Sequence, residues 1–484
     1  MPRTVMGHLA RQWSQGHWAG ARCGKWRRGA RLFCAHMGLQ TVLVAGGLPP
    51  ALAAGDETHT LTGQTVTLEE AYQSALVEDP TWRAAQFARD AGVEAKALGR
   101  AELLPTLSAN YGVQRNRSDI DFSNTLGSQT ENRRYQSSNG GLLLRQPLFY
   151  AEGIARYRQG VAQAEASEAE LEASRQALLL RVFSQYAEAN QAEVELALAM
   201  AKRDQLIEQR NSNAELLARG EGTVTDRLET QASLDLAEAE VIVAEDLVAD
   251  ARSALAATIG RAVPGVVGLP DVFVPATDTR SSLEEWLERA QSRNPDLKAQ
   301  RALVRAAAQD AKRAKASRLP RLDLVANISK ADSDTVSTFE QDSVTSGVGV
   351  QVSMPIISGG ATSAAIRQAE ATRSKEAAML DAMVNEVLVD LQRQFNLTES
   401  GRARITALVT SLESARLVVT ATEQSVRAGV RTNLDVLEAR SQWFEVRRDL
   451  SLARYQYLLA ELGLRRAAGT LTEGDLQGVA RHFR

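Results

Sequence analysis

Asp435 and Glu438 stand three residues apart, just downstream of Gly429-Val430-Arg431-Thr432. On a helix that spacing turns both carboxylates toward the same side. At the first turn they can complement the positive end of the helix dipole. Other chemistry is scarce. Both cysteines, Cys23 and Cys34, and three of the five histidines fall in the first 54 residues. Only His59 and His482 remain, each near an end of the chain. Those residues argue against a zinc site, a Ser-His-Asp triad or a thiol nucleophile. With no Gly-rich phosphate loop either, the chain reads as a non-enzyme without metal or cofactor.

The acids follow a turn between two very long helix-forming runs. A Gly ending one helix and a Thr opening the next is the signature of a helical hairpin. An earlier stretch, Gly222-Thr223-Val224-Thr225-Asp226-Arg227, repeats the Gly and Thr spacing 207 residues before. Gly222 and Thr225 therefore pair with Gly429 and Thr432 as the expected hairpin turns. Residues 155–219 and 362–428 contain no Pro, and their only internal glycines are Gly160 and Gly401. Each run can extend roughly 100 Å at about 1.5 Å per residue. After the second turn, Val436, Ala439, Trp443, Val446, Leu450, Ala453, Tyr457, Ala460 and Leu464 keep the 3,4 spacing of a coiled-coil seam. The return helices, 225–259 and 433–464, are about half as long as the ascending ones, so a second helix must complete each return. Residues 281–317 are expected to stack end to end below the second repeat's strands. Residues 68–104 are expected to do the same with the C-terminal helix.

The duplication covers more than the hairpins. Leu68-Glu69-Glu70-Ala71 matches Leu283-Glu284-Glu285-Trp286, Asp79-Pro80 matches Asn294-Pro295, and Leu104-Pro105 matches Leu319-Pro320, all at an offset of 215. Five segments follow: 1–54, a secretory signal with a basic stretch, an apolar stretch and the small-residue run Ala51-Leu52-Ala53-Ala54; 66–260, the first repeat; 261–280, a Pro/Gly/Val-rich linker; 281–468, the second repeat; and 469–484, a short polar tail expected to be disordered. The signal carries seven Lys/Arg and no acid, which leaves 49 basic against 59 acidic residues beyond it. An acidic remainder argues against nucleic acid as a partner.

Past Pro105 and Pro320 the period changes from helical to alternating. Leu107, Ala109, Tyr111 and Val113 share one face, as do Leu322, Leu324, Ala326 and Ile328. Polar stretches 115–134 and 329–345 read as loops, followed by Gly140–Leu148 and by Val348, Val350, Val352 and Met354. Strands of about ten residues suit a tilted membrane span. Four strands cannot close a barrel, so a lipid-facing sheet would need several chains to share one.

This order of signal, helix, strand pair, long hairpin and helix, given twice, resembles the TolC family of outer-membrane export ducts over residues 66–468. Glu70-Ala71-Tyr72, Asp79-Pro80, Leu103-Leu104-Pro105 and the stretch 429–439 carry the resemblance. It implies a mainly α protein with transmembrane β strands: a homotrimer with a shared twelve-stranded barrel in outer-membrane lipid and long coiled-coil-like helices forming a periplasmic tunnel. The branch it is most similar to is type I secretion, so the implied partners are an inner-membrane ABC transporter, a periplasmic adaptor and a secreted protein substrate. The alternative within the fold is a multidrug or small-molecule efflux channel. Asp435 and Glu438 are implied to ring the periplasmic constriction, where such a ring attracts cations and raises some carboxylate pKa values. Arg431 is implied to tether neighbouring tips, with Asp226 or Arg227 opposite it. A second family tether pairs a Tyr three before the tip Gly with an Asp six after the first-tip Gly. Counted from Gly429 and Gly222, those positions hold Val426 and Leu228.

Overall fold

The computed structural model describes residues 65–124, 127–270, 273, 275, 282–333 and 341–483. The expected signal peptide and part of the 261–280 linker lie outside the described residues. Each repeat begins with a short and a longer helix meeting at a proline: α1 (Leu68–Glu78) and α2 (Pro80–Ala101), then α5 (Leu283–Arg293) and α6 (Pro295–Ala316). Asp79 and Asn294 cap the second helix of each pair with their side-chain oxygens, and the following Pro gives up no hydrogen bond at a helix start. Long hairpins follow the strands: α3 (Ala151–Ala218) with α4 (Val224–Ile259), and α7 (Ala361–Arg427) with α8 (Asn433–Ala467).

The returns are completed within each repeat. Asn294, at the start of α6, donates to the carbonyl of Ala467 at the end of α8, 2.9 Å away. At the end of α4, a side chain on Gly260 would meet Cβ of Glu78 at 2.7 Å. Helix α8 therefore runs on into α6, and α4 meets the junction of α1 and α2. This corrects the expected stacking of 68–104 on the C-terminal helix: each descending helix abuts the short pair of its own repeat.

Among the described residues, four antiparallel strands form one sheet in the order β1 (Thr106–Asn124), β2 (Gly127–Phe149), β3 (Arg321–Ser333) and β4 (Gln341–Ser353). Register puts Leu107, Leu144, Ala326 and Val348 in one row across the sheet, and Ala109, Leu142 and Ile328 in the next row on the same face. The opposite face carries Ser108, Asn110, Asn327, Gly347 and Gly349. One face is thus mainly aliphatic, while the other, apart from Leu143 and Val325, is mainly polar or glycine, the pattern of a barrel wall between lipid and water. No helix among the described residues is long and apolar enough to cross a membrane.

The first hairpin is longer than its apolar pattern indicates. Most of the expected loop at 115–134 is strand, because a backbone ladder needs no apolar side chains. Polar pairs hold it, including Asn116 Nδ2 to Ser137 Oγ at 3.2 Å and Thr130 Oγ1 to Asp121 Oδ1 at 2.5 Å. The second expected loop, 329–345, likewise contains strand up to Ser333 and from Gln341.

The largest apolar core lies at mid-height, where α1, α3, α4 and α8 converge. The region between the repeats contributes to it: Val66 bridges Val266, and Val263, Val266 and Phe273 are buried. The tail is also ordered, contrary to expectation. Helix α9 (Glu473–Ala480) buries Leu476 and Val479, and Phe483 packs against Phe183, Tyr186 and Tyr455. Its apolar residues are too few to form a recognisable stripe, yet each has a ready-made slot.

Candidate functional site

The two hairpin tips have one geometry. Gly220 and Gly429 adopt φ of 78° and 74°, a left-handed conformation that glycine accepts without a Cβ clash. In each tip the amide after that glycine returns to a carbonyl of the ascending helix: Glu221 to Leu216 and Val430 to Ser425, both at 2.9 Å. Thr223 and Thr432 cap the descending helices, and each forms a reciprocal capping box with an aspartate three residues on, Asp226 and Asp435.

This shifts the pairing of the tips by two residues. Gly220 and Thr223 are the counterparts of Gly429 and Thr432, at a separation of 209. Gly222 lies within the turn, and Thr225 lies inside the first turn of α4. The run Gly220-Glu221-Gly222-Thr223-Val224-Thr225 contains Gly-x-x-Thr twice, and letter matching cannot choose between the copies. The shared Thr-x-x-Asp box can. Six residues beyond Gly220 stands Asp226, not Leu228, so that departure from the family pattern disappears; Val426 remains.

Asp435 accepts hydrogen bonds from the Thr432 amide and hydroxyl, both at 2.8 Å. Those bonds, with nearby Arg431 adding less, hold its carboxyl below the usual aspartate range. In a single chain, therefore, Asp435 serves the helix end, and its pKa moves opposite to the rise expected in a ring. Glu438, Arg431 and Arg227 are exposed. Asp226 mirrors Asp435, accepting from Thr223 Oγ1 at 2.6 Å.

A polar cluster just above the tips has no counterpart in the sequence reading. Thr230 of α4 is fully buried, and Asn213 of α3 and Asn433 of α8 are nearly so. Both asparagines donate to the Thr230 hydroxyl, at 2.9 and 3.1 Å, and that hydroxyl donates to the Asp226 carbonyl at 2.9 Å. Gln209 donates to Asn433 Oδ1 at 2.8 Å. Arg440 grips Glu423 at 2.6 Å and reaches Gln209 at 3.4 Å. Leu206, Leu234, Ala237 and Leu437 form an apolar layer beside it. The cluster joins the first hairpin to the second, and buried polar groups of this kind fix register because slippage leaves them unpaired. The available signal was Asn213, one heptad after Leu206 on the α3 seam.

No group of acidic, histidine or cysteine side chains among the described residues could hold a metal. A sheet with one lipid-type face, standing on helices about 100 Å long, defines an outer-membrane channel protein. The chain matches the family described as Outer membrane efflux protein over residues 71–261 and 286–470, one match per repeat. It belongs to that family. It is 38% identical over 418 residues to the alkaline protease secretion protein AprF of Pseudomonas aeruginosa, covering 86% of this chain and 87% of that one. It is 37% identical over 429 residues to the proteases secretion protein PrtF of Dickeya chrysanthemi, covering 87% and 92%. In fold it is similar to the outer membrane protein VceC of Vibrio cholerae, with a TM-score of 0.72 at 18% identity over 83% of this chain and 96% of that one. The protein is an outer-membrane export channel with its helices in the periplasm.

Proposed function

We propose that this chain is the exit duct of a type I secretion system, carrying a protein substrate from an inner-membrane ABC transporter and a periplasmic adaptor to the cell exterior. The observation that supports the substrate class is identity of 38% and 37% to two protease secretion proteins over most of the chain. The duct is a homotrimer. Four strands with unpaired outer edges on β1 and β4 fall short of closure, and three copies supply twelve. The duct does no chemistry of its own. Its tips form the periplasmic gate: Asp435 and Glu438 line the constriction, and exposed Arg431 meets Asp226 or Arg227 of a neighbouring copy.

Deleting the gene and comparing secreted proteins tests the reading. Loss of one or a few proteins from the medium, restored by the gene in trans, is the expected result. An unchanged set of secreted proteins, with new sensitivity to small toxic compounds, would instead identify an efflux channel.

A further inference from the structure

Among the described residues the β1–β2 hairpin outgrows the rest of the sheet. It pairs without a register break from Thr106–Arg145 to Asn124–Gly127, whereas β2 pairs with β3 only as far as Ser137–Ser333. Because no bulge interrupts β1–β2, side chains keep their face all the way up. The face that carries Leu107, Ala109, Tyr111 and Val113 goes on to carry Arg115, Arg117, Asp119 and Asp121. On β2 the same face carries Leu144 and Leu142, then Gln136, Arg134, Asn132 and Thr130. The ribbon therefore presents three arginines on the lipid side, just beyond the aliphatic band and on the side away from the helices.

Arg117 lies directly opposite Arg134, and Arg115 lies diagonal to it. Such neighbours have Cβ atoms about 5 and about 7–8 Å apart, and like charges facing each other across strands are unfavourable. All three arginines are exposed. Among the described residues neither Arg115 nor Arg134 has an ion-pair or hydrogen-bond partner, and Arg117 has only a loose contact with Asp119 at 3.9 Å. Among the described residues, three acids of this face are otherwise engaged. Asp119 accepts from Asn132, Asp121 from Thr130, and Asp342 pairs with Lys330 at 3.1 Å. Asp332 lies on the next strand, four residues nearer the band.

Height decides what can supply the missing anion. Tyr111, strongly exposed, lies near the upper edge of the aliphatic band, which ends at Val113, where aromatic rings favour the membrane interface. Arg115 and Arg117 stand four and six residues above it. At about 3.3 Å per residue and a tilt near 40°, that is about 10 and 15 Å along the membrane normal. Arginine side chains can bend back to the headgroup layer. Guanidinium forks suit phosphate oxygens, which they bind in pairs.

We infer that Arg115, Arg117 and Arg134 form a binding surface for the phosphate groups of the glycolipid in the outer leaflet. The surface fixes the depth of the barrel and orders the base of the ribbon, which among the described residues has no third strand beside it.

The test uses the full chain, reconstituted in phosphatidylethanolamine vesicles containing bisphosphorylated lipid A, then extracted in mild detergent and analysed by mass spectrometry for retained lipid. The native protein is expected to retain the bisphosphorylated lipid at least about tenfold over its dephosphorylated form, and the R115Q/R117Q/R134Q variant is expected to lose that preference. Added inorganic phosphate at millimolar concentration should not displace the lipid; displacement would make the site one for free phosphate and overturn the lipid assignment. Equal retention of both lipids by the native protein, or an undiminished preference in the variant, would also overturn it. So would retention of a protein in place of the lipid at these arginines.

Discussion

The side-chain amide of Asn433, the first residue of α8, donates to the buried hydroxyl of Thr230 on α4 at 3.1 Å. One bond thereby ties the start of α8 to the other hairpin, at the height of the proposed gate. Removing one partner leaves buried polar atoms unpaired, at a cost of about 1–3 kcal/mol. Thr230→Val is therefore expected to loosen the first turn of α8. Hydrogen exchange of the amides of residues 434–438 should accelerate about tenfold, and single-channel conductance in planar bilayers should rise. Unchanged exchange would mean that the cluster does not hold the tip.

Selectivity separates the two acids. Asp435 is committed to the capping box, so replacing it alters helix and charge together. Exposed Glu438 has no such duty. Glu438→Gln is expected to lower the cation-to-anion permeability ratio while leaving conductance close to native. Asp435→Ala with Glu438→Ala is expected to lower the ratio further. A ratio unmoved by either change removes these residues from the filter.

The capping box also has a defined pH window. The Asp435 carboxyl titrates below its ordinary value because Thr432 donates to its charged form. A group with a depressed folded pKa contributes stability that is present above the unfolded value, near 4, and lost as pH falls through the lower folded value. The α8 cap should therefore be as strong at pH 5 as at pH 7 and weaken only below pH 4. Thr432→Ala should weaken it at both pH values by about 1 kcal/mol, roughly a fivefold rise in local opening. Exchange at the tip, corrected for intrinsic rates, is the measurement; a native cap already lost at pH 5 would contradict the assignment.

What could be read in the sequence was whatever repeats or alternates. Two prolines after N-capping residues, two long runs free of Pro and two apolar alternations place the helices, the hairpins and the membrane face. Alternation fails where both faces turn polar, which hides the upper part of the β1–β2 ribbon. Letter spacing fails where a motif overlaps itself, as between Gly220 and Thr225. The Asn213–Thr230–Asn433 cluster depends on three helices meeting, and no single helix advertises it beyond one asparagine on a seam. The expected stacking of 68–104 on the C-terminal helix fails because chain order does not say which short pair lies below which return.

The C-terminal segment supplies a stability test. Phe483 lies in a slot between Phe183, Tyr186 and Tyr455, with ring centroids 6.4, 5.5 and 6.3 Å away. Around it, Gln73 donates to Glu473 at 2.8 Å and Arg465 pairs with Asp475 at 2.5 Å, so α9 links the first helix of one repeat to the last helix of the other. Truncating a buried phenylalanine costs about 3–5 kcal/mol where the site cannot collapse, and three fixed rings leave little room for collapse. Phe483→Ala is expected to lower the thermal unfolding midpoint in detergent by several degrees and to expose α9 to protease, while ion selectivity stays native because the tips lie far along the hairpins. Phe483→Leu should recover most of the loss by refilling the slot. An unchanged midpoint for the alanine variant would show that the mid-height core holds without its C-terminal plug.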